Sequence, residues 1–377
     1  MNEQLRRTPL YEEHLALGAR MVPFAGFSMP VQYSGVIDEC RAVRSSAGIF
    51  DVSHMAQFRV FGRGAFDFLQ RMLTNDLRRI DEIGAAQYSL LCDDDGGIID
   101  DLIVYRTGDL EFMIIANAAN REIDHDWLRT HGASGAGDDA DGMSSPDAVE
   151  VVDESDRTAL IALQGPKALE VLAELAGSDF EPPQRFHIAG ATVDTVPALV
   201  ARTGYTGEDG VELVCHASHA PLLWRALLSF AEVTPCGLGA RDVLRLEMGY
   251  HLYGNDMDRG VDPISAGLGW TIGRDKGEFI GCEAIERIRE KGVSRRLVGL
   301  EVEGGIPRPG YAVLRGGAEV GKVASGTYSP VLESGIATAY LPVEFAEPGT
   351  GVEVAIRTKV ASARVVRPPF VKGTSLS

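Results

Sequence analysis

The chain has 377 residues, of which 45% are apolar and 24% charged, close to the averages of globular proteins. A length well above about 200 residues predicts two or three packed units rather than one core. The formal net charge of -18 argues against nucleic acid as a partner, and no apolar run approaches the roughly 20 residues that span a bilayer. We therefore expect a protein of several domains that binds neither nucleic acid nor a membrane.

The cysteines and the first residues indicate the compartment. The five cysteines are scattered without a C-x-x-C pair, which argues against a disulfide framework and a structural zinc site. The opening segment MNEQLRRTPLYEEH lacks the apolar stretch of a signal peptide. These features predict a cytoplasmic protein with reduced thiols and no bound metal.

Short helix-like and strand-like segments alternate along the first region, which favours an α+β fold over a doubly wound sheet. In MAQFRVFG, Ala56, Phe58 and Val60 alternate with Gln57 and Arg59, the period of a half-buried strand. The following GAFDFLQRMLTNDL has apolar residues at helical spacing. LEFMIIANA is typical of a strand buried on both faces.

Two breaks divide the chain. A Gly-, Asp- and Ser-rich loop separates two subdomains near residues 130–150 of the first region, 1–275. This acidic loop is either a solvating insertion or an adaptation to salt. Residues 276–295 form a linker with one helix, CEAIERIREKG. From 296 to 377, short alternating strands such as GVEVAIRTK predict a small antiparallel barrel or sandwich, with Val352, Val354 and Ile356 on one face.

Two adjacent acids, Asp100 and Asp101, stand in GGIIDDLIVY at the entry to an apolar strand. A buried carboxylate needs donors or a cation, so each acid either caps a turn or faces a cleft. Because adjacent strand side chains point to opposite faces, only one of the two can enter a given site. Both readings stay open at this point, whereas the isolated His54 and His251 are interpreted as ordinary core or surface residues.

Seven segments occur together in the order and spacing of a known family. They are TPLYEEHLALGARMVPFAGFSMPVQY, FDVSHM, GGIIDDLIVY, LQGP, RTGYTGEDGVE, CGLGARDVLRLEMGYHLYGND and RVVRPPFV. Over nearly its whole length the chain resembles the aminomethyltransferases, or T-proteins, of the glycine cleavage system. The resemblance implies an α+β fold: a folate-binding, multi-domain cloverleaf with a central cleft and a C-terminal antiparallel β-barrel.

The same resemblance implies site residues. The catalytic aspartate corresponds to Asp101, the pterin-binding glutamate to Glu212 rather than Glu208, and its neighbouring arginine to Arg241. An ionised carboxylate can accept the two parallel N–H donors of a reduced pterin. Arg241 would meet the glutamyl tail of folate or fix a carboxylate of the site. The resemblance further implies a flat apolar cleft lined by Met55, Tyr88, Tyr105, Asn117 and Trp270.

The implied co-substrate is tetrahydrofolate. The implied partner is the lipoylated H-protein, whose arm carries the aminomethyl group, and the P- and L-proteins of the same system are further candidates. The expected products are 5,10-methylenetetrahydrofolate, ammonia and the dihydrolipoyl carrier.

Three alternatives fit the residues less well. The folate domain of a dimethylglycine- or sarcosine-oxidising enzyme follows a flavin domain, whereas here the pattern starts at Thr8. The folate-dependent iron–sulfur assembly factor is marked by K-G-C-Y-x-G-Q, where this chain has Gly281-Cys282-Glu283. A plain scaffold is disfavoured by the ordered cleft motifs. One departure from the family is Phe27, which stands where relatives often have tryptophan.

Overall fold

The computed structural model describes residues 5–133, 148–177 and 179–373. Most of the predicted acidic loop near 130–145 therefore lies outside the described residues. The α-helices are α1 Tyr11–Ala16, α2 Val36–Ser45, α3 Ala65–Met72, α4 Arg121–Ala133, α5 Ala168–Ala176, α6 Ala220–Leu228, α7 Leu238–Glu247 and α8 Cys282–Lys291. In these described parts of the chain, no helix is both long and apolar enough to cross a membrane.

The strands before the linker are β1 Arg20–Phe24, β2 Phe27–Gln32, β3 Ala47–Asp51, β4 Ala56–Phe61, β5 Ala86–Cys92, β6 Ile98–Gly108, β7 Glu111–Ala116, β8 Glu150–Asp153, β9 Thr158–Gln164, β10 Ile188–Val193, β11 Val196–Ala201, β12 Gly210–His216 and β13 Val233–Pro235. The later strands are β14 Arg295–Val302, β15 Ala312–Arg315, β16 Ala318–Ser329, β17 Ser334–Pro342, β18 Gly351–Ile356 and β19 Lys359–Val366.

These strands form two mainly antiparallel sheets, a hairpin and a barrel. The six-stranded sheet has the order β10-β11-β12-β9-β3-β13, and the five-stranded sheet has the order β5-β6-β7-β4-β8. Strands β1 and β2 pair with each other, and the last six strands close into an antiparallel barrel in the order β14-β17-β16-β15-β18-β19. The predicted α+β class and the C-terminal barrel are confirmed, and the barrel alternative is the correct one.

The two sheets pack face to face over a shared core, which explains their apolar strands. In β7, Phe112 and Ile114 pack with the helices behind the five-stranded sheet, while Met113 and Ile115 face the core between the sheets. The strand is thus buried on both faces, as LEFMIIANA predicts.

Strand β4 departs from the predicted alternation. Ala56, Phe58 and Val60 are buried, but Gln57 is also buried at 2% exposure. The strand lies between β7 and β8 inside its sheet, and the backbone N–H of Gln57 donates to Ser155 Oγ at 2.9 Å. The polar residue is therefore on a covered face, because the sheet has no solvent side at this point.

The barrel is attached to the first region through buried polar contacts at the end of α7. Arg245 donates to Asp256 and to Ser325 Oγ, both at 2.8 Å, and Ser329 Oγ donates to Glu247 at 2.6 Å. Glu247 in turn pairs with Arg44 at 2.6 Å. Buried charges are stable only when paired, so these contacts fix the position of the barrel.

Candidate active site

A cavity of about 830 Å³ lies where the parts of the chain meet. Its wall includes Tyr88 from the five-stranded sheet, Glu212 from the six-stranded sheet and Arg241 from α7. Pro368 and Pro369, which follow the last barrel strand, also line it. A mostly apolar cavity of this size with a few polar groups suits a flat organic molecule.

The two adjacent acids of β6 point in different directions, as strand alternation predicts. Asp101 lies in the cavity wall, whereas Asp100 is fully buried behind it. Neither acid serves a turn, so that alternative is wrong: Asp100 accepts hydrogen bonds from the backbone N–H of Asn117 at 2.9 Å and from Asn120 Nδ2 at 2.7 Å. Asn117 Nδ2 lies 2.8 Å from a carboxylate oxygen of each acid and joins them.

The surroundings of Asp101 favour its protonated form more than water does. Burial, followed by repulsion from the Asp100 carboxylate, raises the pKa of Asp101 to about 7. The hydroxyl of Tyr88 donates to Asp101 Oδ2, the carboxylate oxygen that Asn117 does not contact, at 3.0 Å. This hydrogen bond opposes the rise in the pKa. Asp101 is therefore populated in both protonation states near neutral pH, which is the condition for efficient proton transfer.

A second charged group in the wall is formed by Glu212 and Arg241. Glu212 is 8% exposed and accepts from Thr203 Oγ1 at 2.6 Å. The guanidinium of Arg241 stacks over the ring of Tyr205 at 4.9 Å, and its Nη1 meets no acceptor among the described residues. Burial lowers the pKa of Arg241, and the charge of Glu212 opposes that shift. The pair thus retains unused hydrogen-bonding capacity.

Glu208 also borders the cavity but is engaged elsewhere. Its carboxylate accepts from Arg44 Nη1 at 2.7 Å, and its side chain is only 3% exposed. Arg44 also pairs with Glu247, so one guanidinium is shared by two buried carboxylates. This pairing supports the choice of Glu212 over Glu208 as the acid available to a ligand.

Of the residues predicted to line the cleft, Met55, Tyr88, Asn117 and Trp270 lie in the cavity wall. The indole of Trp270 is 61% exposed at the rim and stacks on Tyr88, with ring centroids 5.6 Å apart. Tyr105 does not line the wall: it is 1% exposed in the core between the sheets. Its hydroxyl is 2.9 Å from Thr203 Oγ1. Tyr105 therefore reaches the cavity only through Thr203 and Glu212. It lies on the same face of β6 as Asp101 but four residues further along the strand, where the core between the sheets covers it.

The glycines of TGYTGEDG shape one side of the cavity. Gly207 has φ of +79°, and a Cβ there would lie 2.2 Å from Met248 Sδ. The carbonyl of Gly207 in turn packs against Gly373 near the end of the chain. A side chain at Gly207 would be strained by the positive φ and would displace the side chain of Met248, which also lines the cavity.

The comparisons with known proteins agree with this architecture. Residues 10–276 match the GCVT N-terminal domain, and residues 295–372 match the glycine cleavage T-protein C-terminal barrel domain. An aminomethyltransferase of Symbiobacterium thermophilum is 47% identical over 99% of both chains, and one of Rubrobacter xylanophilus is 47% identical over 98% of this chain and 95% of its own. The chain belongs to the glycine cleavage T-protein family.

A solved structure of the same family has the same fold. It is the crystal structure of glycine cleavage system aminomethyltransferase T from Bartonella henselae. It superposes with a TM-score of 0.88 at 35% identity and covers 98% of this chain and 99% of that one. The cloverleaf expected from the resemblance is thus confirmed as the family fold.

Sequence reasoning missed several cavity residues in this family member. The sequence predicts an ordinary core or surface residue at His54, yet its ring lies in the cavity wall, and burial lowers its pKa to about 4, so it is neutral at pH 7. Tyr205 and Thr203 border the Glu212–Arg241 pair. Their positions in FDVSHM and RTGYTGEDGVE were the only available signal, because a lone ring or hydroxyl has no distinctive spacing.

Proposed function

We propose that the protein is the aminomethyltransferase of the glycine cleavage system. It transfers the methylene carbon from S-aminomethyl-dihydrolipoyl H-protein to tetrahydrofolate. The products are 5,10-methylenetetrahydrofolate, ammonia and dihydrolipoyl H-protein. One observation supports the residue assignments. A single cavity contains both Asp101, whose pKa is about 7, and the charged residues Glu212 and Arg241, of which Arg241 Nη1 has no hydrogen-bond partner among the described residues.

The residues present fit a reduced folate. The carboxylate of Glu212 has one close donor, Thr203, and retains lone pairs for the adjacent N–H groups of a pterin. The unpartnered Nη1 of Arg241 suits a carbonyl or carboxylate oxygen of the same ligand. Met55, Asn117 and the stacked rings of Tyr88 and Trp270 provide a flat wall with one amide.

We assign Asp101 as the catalytic residue. The overall reaction forms two bonds from the methylene carbon to N5 and N10 of folate and breaks its bonds to sulfur and to the amine nitrogen. Two N–H protons leave folate, one going to the thiol and one to ammonia. A carboxylate with a pKa of about 7 can stabilise positive charge on the methylene carbon and accept one of these protons.

The family membership implies an interaction with the H-protein. We propose that its lipoylated arm enters the cavity and that the P- and L-proteins work with the same carrier. We also propose a cytoplasmic location, since all five cysteines are free and four are buried, as expected in a reducing compartment.

Folate binding tests the Glu212 assignment. Glu212→Gln keeps the shape of the side chain but replaces one acceptor oxygen with a donor, so the affinity for tetrahydrofolate should fall by roughly 10- to 100-fold, the effect of losing a charged hydrogen bond. Isothermal titration measures this change. The control is Glu301→Gln on an exposed barrel position, which should bind as wild type does. Equal affinity of Glu212→Gln and wild type would contradict the assignment.

Turnover tests Asp101. Asp101→Asn should lower the rate of ammonia release from aminomethylated H-protein by about 10² or more, typical for a lost charge aimed at the reacting atoms, while folate binding changes little. A variant with wild-type turnover would rule out a catalytic role.

A further inference from the structure

A third aspartate lies directly behind the acid pair. Asp124 stands in the first turn of α4 and is fully buried. Neither of its carboxyl oxygens meets an N–H or O–H donor of another described residue. A buried, ionised carboxylate without a donor would be strongly destabilising. Its protonation state therefore needs an explanation.

The neighbour of Asp124 is the carboxylate of Asp100. Asp100 already accepts three N–H groups from Asn117 and Asn120, at 2.7 to 2.9 Å, and these donors favour its ionised form. Two carboxyl groups in contact are most stable when they share one proton. The proton belongs on Asp124, which then hydrogen-bonds to Asp100.

Electrostatics agree with this arrangement. Burial, followed by the charge of Asp100, raises the pKa of Asp124 far above its usual range. Burial also raises the pKa of Asp100, while the hydrogen bonds from Asp124, Asn117 and Asn120 oppose that rise. Asp124 is thus a neutral acid at pH 7.

Hydrogen bonds through Asn117 connect Asp100, the neighbour of Asp124, to the cavity wall. Asp100 and Asp101 share the Asn117 side-chain amide, which lies 2.8 Å from each. The second oxygen of Asp101 is held by Tyr88. A shift of the Asp100 carboxylate would therefore displace Asn117 and release one of the two side chains that hold Asp101.

We propose that Asp124 is a positioning residue for the transfer reaction: as a neutral carboxylic acid it donates a hydrogen bond to Asp100 and, through Asn117, fixes the carboxylate of Asp101 at the cavity wall. This inference rests on the proposed catalytic role of Asp101.

The ionisable groups that act on this cluster come from several elements. They are Asp100 and Asp101 from β6, Tyr88 from β5, and Tyr205, Tyr253 and Arg259 from loops.

Two substitutions at Asp124 distinguish loss of the hydrogen-bond donor from loss of the ionisable carboxyl group. Asp124→Asn cannot titrate, but its amide can still donate to Asp100, so its rate of ammonia release and its pH profile should stay within about threefold of wild type. Asp124→Ala removes the donor. Its kcat should fall by about tenfold or more, the size of a lost hydrogen bond to a charged group. Asp126→Asn, at an exposed position of the same helix, is the matched control.

The pH profile gives a readout that general loosening of the fold would not produce. Without the donor from Asp124, Asp100 takes up a proton more readily, and its repulsion of Asp101 disappears. Asp101 then ionises at lower pH, so the rising limb of kcat/KM in Asp124→Ala should move to acid pH. In Asp124→Asn it should stay in place.

A direct measurement does not depend on activity. Infrared difference spectra of wild type minus Asp124→Asn at about pH 8 should contain the carbonyl stretch of a neutral carboxylic acid. Absence of that band would overturn the proposal, even if Asp124→Ala failed to fold. Wild-type kcat and pH profile in folded Asp124→Ala, or equal impairment of the Asn and Ala variants, would also overturn it. Inactive wild type, or active Asp101→Asn, would instead refute the proposed function or the role of Asp101, while the infrared band would still report on Asp124.

Discussion

Replacing Asp101 with asparagine should separate activity from stability. The substituted side chain can keep the hydrogen bonds to Asn117 and Tyr88, because its oxygen accepts one and its amide can donate to the rotated tyrosine hydroxyl. The variant loses the buried charge, however. Since the native environment disfavours that charge, the inactive variant should be more stable than wild type at alkaline pH.

The magnitude follows from proton linkage. The pKa of Asp101 rises from 3.8 to about 7, so between these values the native state binds a proton that the unfolded state has released. This group therefore lowers wild-type stability as pH rises through that window, by about 2 kcal/mol at pH 5 and up to about 4 kcal/mol at pH 8. Asparagine has no such dependence. The stability difference between variant and wild type should grow by about 2 kcal/mol from pH 5 to pH 8.

Urea unfolding at the two pH values measures this difference through the transition midpoints and slopes. The neighbouring acids titrate in both proteins, so their contributions largely cancel. Asp126→Asn, whose carboxylate is exposed, should show no such trend. A difference between Asp101→Asn and wild type that is constant with pH, or that decreases towards pH 8, would refute the reasoning.

Two further substitutions test other parts of the site. Tyr88→Phe removes a donor that lowers the pKa of Asp101, so the rising limb of kcat/KM should move to higher pH by about one unit; an unmoved limb would contradict this. Arg44→Ala removes the guanidinium that pairs with two buried glutamates and should lower the free energy of unfolding by about 3 to 5 kcal/mol, measured by urea titration. Arg41→Ala, at an exposed position on the same helix, should cost less than about 1 kcal/mol, and a similar loss in both would count against the buried ion pair.

The sequence predicted secondary structure best where one periodicity dominates. The helix α3 and the barrel strands follow from apolar spacing, and β7 follows from its continuous apolar run. Gln57 could not be predicted to be buried, because its exposure depends on a second layer that covers β4 and not on local pattern. The burial of Gln57 is therefore set by tertiary packing.

The site was predictable only in part for a related reason. Alternation along β6 indicated that one of the two aspartates enters the cleft, but residue types alone could not say which. Asp124 gave no local signal, since an acid in the first turn of a helix is ordinarily a solvated residue that favours the helix dipole. Its significance depends on contact with a strand more than 20 positions away in the chain, which only the folded structure reveals.

The tail beyond the last barrel strand limits where the chain can be divided or fused to another protein. Pro368 and Pro369 line the cavity, and the backbone N–H groups of Phe370 and Val371 donate to the carbonyl of Glu247. The first region on its own would expose this side of the cavity to solvent and lose the hydrogen bond that Ser329 donates to the buried acid of Glu247. A fragment with a closed cavity must therefore include the segment through Val371, and a gene split at the linker would yield two fragments with no complete cavity until they reassociate.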